Sequence, residues 1–203
     1  MSASDSYPLV EIFESLQGEG RNTGRPCVFV RFAGCNLACP WCDTDSAEKF
    51  KLTLEELVGE ITSFRAKSVV FTGGEPTTIA GMAELVAALK EKGYYLAVET
   101  NGLKSPDWLA FVDYVACSPK AEFASLYDEA DALREADEVR VVASSESVVE
   151  FCRSIAKKIS ATDYYVSPCD RGGEIDFATA KSVLAALEGW SLSVQLHKIL
   201  GFR

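Results

Sequence analysis

Seven short runs rich in β-branched and aromatic residues follow one another along the chain: CVFVRFAG, SVVFTGGEP, YYLAVETNG, VDYVACSPK, EVRVVASS, DYYVSPC and LSVQLHKIL. Helix-patterned stretches separate several of them, at residues 54–64, 82–91, 148–158 and 177–187, where apolar side chains fall near helical spacing. Strands that alternate with crossover helices pair in parallel, because each helix returns the chain to the same end of the sheet. Thr53 and Glu56 have the spacing of a capping box at the first helix, and Asp176 is placed to cap the last. No linker, low-complexity tract or short repeat interrupts the order, and 203 residues with 48% apolar content suffice for one core, so residues 1–203 read as a single domain. In parallel α/β folds the chemistry collects at the C-terminal ends of the strands. GCNLACPWCDT, TGGEP, ETNG, SPK and SPCD would then share one rim.

Charge narrows the partners. A formal net charge of -10 repels a phosphate backbone, so no nucleic acid is expected and a small molecule or a protein fits better. The apolar runs are strand-sized and the N-terminus has neither a basic start nor an apolar h-region, so no membrane partner is expected and a cytoplasmic location is. Seven cysteines at uneven spacing do not form a disulfide framework in such a compartment, which leaves metal binding or burial. The single histidine, His197, removes Cys2His2 zinc sites and most triads with an imidazole base.

Three of the cysteines, Cys35, Cys39 and Cys42, form CxxxCxxC. Thiolates this close suit zinc or an iron-sulfur cluster, and Trp41 between the last two could shield a metal from water. A structural metal site closes its coordination sphere, whereas three protein ligands leave a position open for a reacting molecule. Cys27 lies apart, within the apolar strand. A zinc knuckle or buried thiols remain the plainer reading of the loop. In the next strand, Gly73, Gly74, Glu75 and Pro76 read GGEP, where missing side chains let backbone approach a ligand, although strand-turn-helix connections use the same residues.

CxxxCxxC after a strand, with an aromatic residue between the last two cysteines, resembles the cluster loop of radical S-adenosylmethionine (SAM) enzymes. In that superfamily three thiolates hold three irons of a 4Fe-4S cluster, and the fourth iron chelates the amino and carboxylate groups of SAM. Electron transfer then cleaves the sulfonium to methionine and a 5'-deoxyadenosyl radical, which abstracts hydrogen. The wider pattern, from ESLQGEG (residues 14–20) through GRPCVFVRFAGCN and Asp43-Thr44 to QLHKILGFR, resembles the 7-carboxy-7-deazaguanine synthase family over nearly the whole chain. The resemblance implies a lyase that contracts 6-carboxy-5,6,7,8-tetrahydropterin to 7-carboxy-7-deazaguanine with loss of ammonia, on the route to queuosine. It also implies Mg2+, a flavodoxin- or ferredoxin-type reductant and a homodimer. The implied fold class is α/β: an incomplete TIM-type (β/α)6 barrel with some helices reduced and extra N- and C-terminal segments.

Carried onto these positions, the resemblance assigns Leu16, Gln17, Gly18, Glu19, Arg31, Thr72, His197 and Arg203 to the substrate. A pterin has a flat donor-acceptor edge and here a carboxylate, which amides, backbone and a guanidinium fork can match. A structural salt bridge is the plainer role for Arg31. Thr44 is implied as the Mg2+ ligand, a metal that accepts few protein oxygens, although threonine in a turn ordinarily bonds locally. Gly73, Gly74, Glu75, Glu99, Asn101, Ser118, Pro119, Lys120, Ser167, Pro168, Cys169 and Asp170 are implied to line SAM, with ordinary strand-end turns as the alternative for SPK and SPCD. Cys169 reads as packing rather than as a metal ligand. His197 is expected near the end of a strand, and Arg203 stands where the family commonly ends in proline. Activating enzymes of glycyl-radical proteins share CxxxCxxC but do not account for ESLQGEG, Arg31 and CDT together. A non-catalytic iron-sulfur carrier or zinc module does not account for GGEP or an open coordination site.

Overall fold

The computed structural model describes residues 6–42 and 44–202. Two antiparallel pairings open the fold: β1 (Ser6–Leu16) runs between β2 (Pro26–Phe32) and β3 (Phe50–Thr53). There follow α1 (Leu54–Ser63), β4 (Ser68–Gly73), α2 (Met82–Glu91), β5 (Tyr95–Thr100), β6 (Tyr114–Cys117), β7 (Glu135–Ala143), α3 (Val148–Lys158) and β8 (Ser160–Asp170). The chain closes with β9 (Ile175–Asp176), α4 (Phe177–Ala185), β10 (Trp190–Leu192) and α5 (Leu196–Leu200). Strands lie in the order β10-β8-β7-β6-β5-β4-β2-β1-β3, with β9 paired to β8. From β2 through β4, β5, β6, β7 and β8 to β10 all neighbours are parallel. The order ends without β10 meeting β3, which makes the barrel incomplete. Only 3-10 turns, Asp107–Phe111 and Ala121–Asp128, cross from β5 to β6 and from β6 to β7.

Local chemistry sets the helix ends. The Thr53 hydroxyl accepts from the Glu56 amide while the Glu56 carboxylate accepts from the Thr53 amide, a closed capping box worth about 1 kcal/mol. Asp176 accepts from the Thr179 amide at the start of α4. The helix expected over 177–187 stops at Ala185.

Successive side chains of each strand face opposite ways, and the two faces differ in character. Outward-facing Val69, Phe71, Leu96, Val98, Val139 and Val141 pack with helix residues such as Leu57, Ile61, Leu85, Leu89 and Ile155 in the main core. Inward-facing Cys27, Val70, Ala97, Tyr114 and Ala116 form a smaller apolar cluster with Phe29 and Tyr95. One step further along the same inward rows stand Arg31, Thr72, Glu99, Ser118, Arg140 and Ser167. The interior is thus apolar toward the strand starts and polar toward the strand ends, where a ligand can satisfy groups that burial would otherwise penalise.

Ser6–Leu16 lies outside the seven expected strand runs, and LSVQLHKIL departs from its reading. Ser6–Leu16 forms a long strand although its apolar alternation is broken, because the register shifts between Leu9 and Glu11. LSVQLHKIL is not one strand. β10 ends at Leu192, the Ser193 amide makes its bond to the Val166 carbonyl, and the chain turns into α5, so His197 lies on a helix rather than at a strand end. Gly201, at φ +70°, ends that helix. Among the described residues no helix is long and apolar enough to cross a membrane.

Candidate active site

At the C-terminal ends of the parallel strands a cavity of about 930 Å³ opens, lined by Cys35, Cys39 and Cys42 on one side and by Gln17, Glu19, Arg31, Thr72 and Glu99 on another. The cysteine loop leaves β2 at Gly34, whose φ of +83° favours glycine, and its base is closed by the Gly34 amide donating to the Ser46 carbonyl at 2.9 Å. A turn brings the Cys42 amide to the Cys39 carbonyl at 3.2 Å. All three thiols are unbridged, and burial pushes those of Cys35 and Cys39 above their ordinary value. Among the described residues no three His, Cys, Asp or Glu side chains converge on a point one metal ion would occupy. A cluster asks for thiolates that each take a separate iron, and three unbridged cysteines of one loop at the cavity supply that donor type. Trp41 donates from Nε1 to Glu122 at 2.7 Å, and the Lys120 ammonium lies 5.3 Å from its ring centre. Cys27 belongs to the inner apolar cluster, where burial raises its thiol to about 12, and it does not line the cavity.

The glycines of TGGEP serve the cysteine loop. The Glu75 amide donates to the Gly34 carbonyl at 2.9 Å and the Gly74 amide to the Phe32 carbonyl at 3.0 Å. Side chains at these positions would collide with that backbone: a Cβ on Gly73 would lie 2.2 Å from the Phe32 oxygen. The Glu75 carboxylate, 1% exposed, accepts from the Thr77 amide and hydroxyl, the Thr100 hydroxyl and the Asn101 amide, all within 3.0 Å. Its side chain is therefore committed to joining β4 to β5. Asn101 continues the link by donating from Nδ2 to Asn36 Oδ1 at 2.7 Å, which ties the ETNG turn to the cysteine loop.

The opposite wall is built around Gln17. Its Nε2 donates to Glu99 at 2.9 Å and its Oε1 accepts from the Glu19 amide at 3.1 Å, an orientation required because a carboxylate only accepts. The Gln17 amide thus holds the loop, leaving the Glu19 and Glu99 carboxylates to face the cavity. Thr72 Oγ1 donates to the other oxygen of Glu99 at 3.2 Å. Glu99, expected beside SAM, bonds Gln17 and Thr72, two of the residues expected to meet the substrate. Arg31 pairs with Glu11 at 2.8 Å and is partly exposed, so it has both a structural partner and access to the cavity.

Sequence reasoning missed Arg140, the cation at the centre of this wall. Its guanidinium meets Glu19 and, at 3.0 Å, Glu99, while Nε lies 2.9 Å from Glu138 at an angle that makes no hydrogen bond. Burial opposes the charge, but Glu19, Glu99 and Glu138 together hold Arg140 firmly protonated. Burial likewise pushes the Glu99 carboxyl up, and the Arg140 charge with hydrogen bonds from Arg140, Gln17 and Thr72 outweighs it, leaving Glu99 below its ordinary value. The signal available in the sequence was EVR, two charges on one face of a valine-rich strand.

At the ends of β6 and β8, Ser118, Lys120, Ser167, Pro168 and Asp170 line the cavity, whereas Pro119 and Cys169 are buried and do not. Lys120 Nζ donates to Ser118 Oγ at 2.8 Å, and burial depresses its pKa. Asp170 accepts from Lys198 Nζ at 2.6 Å and from the Gly173 amide, partners that hold its carboxyl below the ordinary value. That bond and the Leu196 amide on the Gly18 carbonyl, 3.0 Å, fasten α5 over the cavity and bring His197 against Gly18. Arg203 lies outside the described residues.

The chemistry of the walls fits the cofactors. Ser167 Oγ is buried with no protein partner among the described residues, in a residue that lines the cavity, and a polar nucleotide there would supply the missing bond. Three thiols with a lysine nearby suit a cluster and a carboxylate-bearing ligand.

Comparison with known proteins agrees with this geometry. Residues 29–166 match the model of the radical SAM superfamily. The chain is 43% identical to the 7-carboxy-7-deazaguanine synthase of Haemophilus influenzae, covering 97% of this chain and 94% of that protein. It is 44% identical to that of Neisseria meningitidis serogroup B, covering 96% and 93%. The crystal structure of QueE from Escherichia coli superposes with a TM-score of 0.75 at 25% identity over 95% of each chain.

Proposed function

The chain belongs to the 7-carboxy-7-deazaguanine synthase family of the radical SAM superfamily, and from that membership we propose that it contracts 6-carboxy-5,6,7,8-tetrahydropterin to 7-carboxy-7-deazaguanine with release of ammonia, for queuosine biosynthesis. The observation that carries the reading is one cavity with three free thiols on one wall and a polar wall of Gln17, Glu19, Arg31, Thr72 and Glu99 across from it. Cys35, Cys39 and Cys42 would hold the 4Fe-4S cluster, and Gly74, Asn101, Ser118, Lys120 and Ser167 would border SAM. When bound, cluster and SAM together supply one-electron, hydrogen-abstracting chemistry.

The residues of the chain bind, orient and exclude water. Glu19 and Glu99 accept from the amino-pyrimidinone edge, and Arg31, shared with Glu11, takes the substrate carboxylate. Helix α5, latched through Lys198 to Asp170, limits access of solvent. Thr44 lines the same cavity, and its hydroxyl would be the protein oxygen for Mg2+, a metal that can be held by few protein ligands. A homodimer and a flavodoxin- or ferredoxin-type electron donor complete the proposal.

Anaerobically reconstituted protein, given reductant, SAM and the carboxypterin, should form the deazapurine. Formation of 5'-deoxyadenosine without deazapurine would point to another radical enzyme, and no cleavage of SAM would point to a carrier or a zinc protein.

A further inference from the structure

Arg140 stands between three carboxylates that are not equivalent. Glu138 is 2% exposed, does not line the cavity, and is fixed by the Tyr114 hydroxyl at 2.7 Å and the Arg21 amide at 3.0 Å. Glu19 and Glu99 are 20% and 25% exposed and both face the cavity. An ion cluster that served only the core would seal all its members, but this one seals the back and opens the front. Two carboxylates facing one cavity repel each other unless a cation lies between them, and a guanidinium can bridge both through separate nitrogens where an ammonium offers one point. Arg140 does so with a side chain only 4% exposed, rooted on β7, while its two partners come from the β1–β2 turn and from β5.

We infer that Arg140 is a positioning residue for substrate selection: its fork aligns Glu19 and Glu99 as a paired acceptor edge for a ring that presents adjacent N–H donors, with Glu138 bracing the fork from behind. The inference rests on the pterin reading of the site. Three carboxylates against one guanidinium leave a negative excess at the front of the cluster, which favours a donor-rich 2-amino-4-oxo edge and disfavours a ring whose 2-amino group is replaced by oxygen. Arg140 acts through its partners: its terminal nitrogens are held by Glu19 and Glu99, and its Nε faces Glu138 without a hydrogen bond.

The test compares Arg140→Lys and Arg140→Met with the unaltered enzyme, all anaerobically reconstituted. It measures equilibrium binding of the carboxypterin without reductant, KM and kcat for the carboxypterin, and KM for SAM. Loss of the fork should raise the Kd and KM for carboxypterin by about 10-fold in Arg140→Lys and by about 100-fold in Arg140→Met. KM for SAM and the cluster absorption should stay unchanged, and preference over the 2-oxo analogue should shrink. Unchanged pterin affinity in Arg140→Lys overturns the inference, and so does an equal weakening of pterin and SAM, the result of general loosening. If Arg140→Met does not fold, Arg140→Lys, which keeps the charge, decides alone. An unaltered enzyme that cleaves SAM but forms no deazapurine overturns the underlying reading instead, and the inference with it.

Discussion

Gly74 sits directly beneath Gly34: a Cβ on Gly74 would lie 1.7 Å from the Gly34 carbonyl oxygen and 2.9 Å from the Cys35 amide nitrogen. The turn after β4 is therefore the floor of the cysteine loop, and neither backbone can yield without moving Cys35. Gly74→Ala should lower unfolding free energy by roughly 1–3 kcal/mol, in the range of overpacking, and also reduce iron uptake. Urea unfolding together with iron content after reconstitution measures both. Full iron loading in a destabilised variant would separate the loop from the turn.

Removing any of the three loop cysteines should prevent cluster assembly, whereas Cys27, buried in the inner apolar cluster, should be dispensable for it. Cys39→Ala is expected to lose the cluster absorption. Cys27→Ala should retain full iron and lose about 1 kcal/mol of stability through the small cavity it leaves. Iron depletion in Cys27→Ala would place a fourth thiol at the cluster.

How far the residues announced this site depends on the range over which each one acts. The helices Met82–Glu91 and Val148–Lys158 were legible to the residue because periodicity and flanking residues are local signals. The cysteine loop and GGEP were legible as motifs, but the reason for Gly74, contact with a backbone forty residues away, was not. Arg140 was hidden because Glu19 is 121 residues distant in sequence and only the curl of the sheet brings them together. His197 was misplaced because a valine-leucine alternation reads as strand, while the bond from the Leu196 amide to Gly18 makes a helix start there.

The environment of Glu99 makes stability depend on acid. Its carboxyl titrates below its ordinary value of 4.5 in the folded protein. A group depressed on folding stabilises fully above its unfolded value and ceases to do so as pH falls through its folded value. Glu99→Gln should therefore flatten the decline of unfolding free energy below about pH 4.5, measured by urea titration at successive pH values. An acid limb as steep as that of the unaltered protein would mean that Glu99 is not held by Arg140 in solution.

Thr44 follows the last cysteine of the loop by two positions and lines the cavity. Thr44→Ala should raise the Mg2+ concentration needed for half-maximal stimulation by about 10-fold or more, since even indirect support of a metal is worth that much. Cluster content should be unaffected. Unchanged Mg2+ dependence would leave the hydroxyl as a turn residue.

Ser167 gives a prediction whose two halves have opposite signs. Its hydroxyl is buried at the end of β8, beside the cavity, with no protein partner among the described residues. An unsatisfied buried hydroxyl costs about 1–3 kcal/mol, so Ser167→Ala should leave the ligand-free protein as stable as the unaltered one or more so. A nucleotide that bonds this hydroxyl loses that bond in the variant, and one hydrogen bond of about 1.4 kcal/mol corresponds to a tenfold weaker Kd for SAM. Thermal unfolding of the ligand-free protein and equilibrium binding of SAM to the reconstituted protein measure the two halves independently. A merely structural serine would give the reverse pattern, with stability lost and SAM affinity kept. Stability held and affinity lost identifies the hydroxyl as a group that the fold leaves unpaired for its ligand.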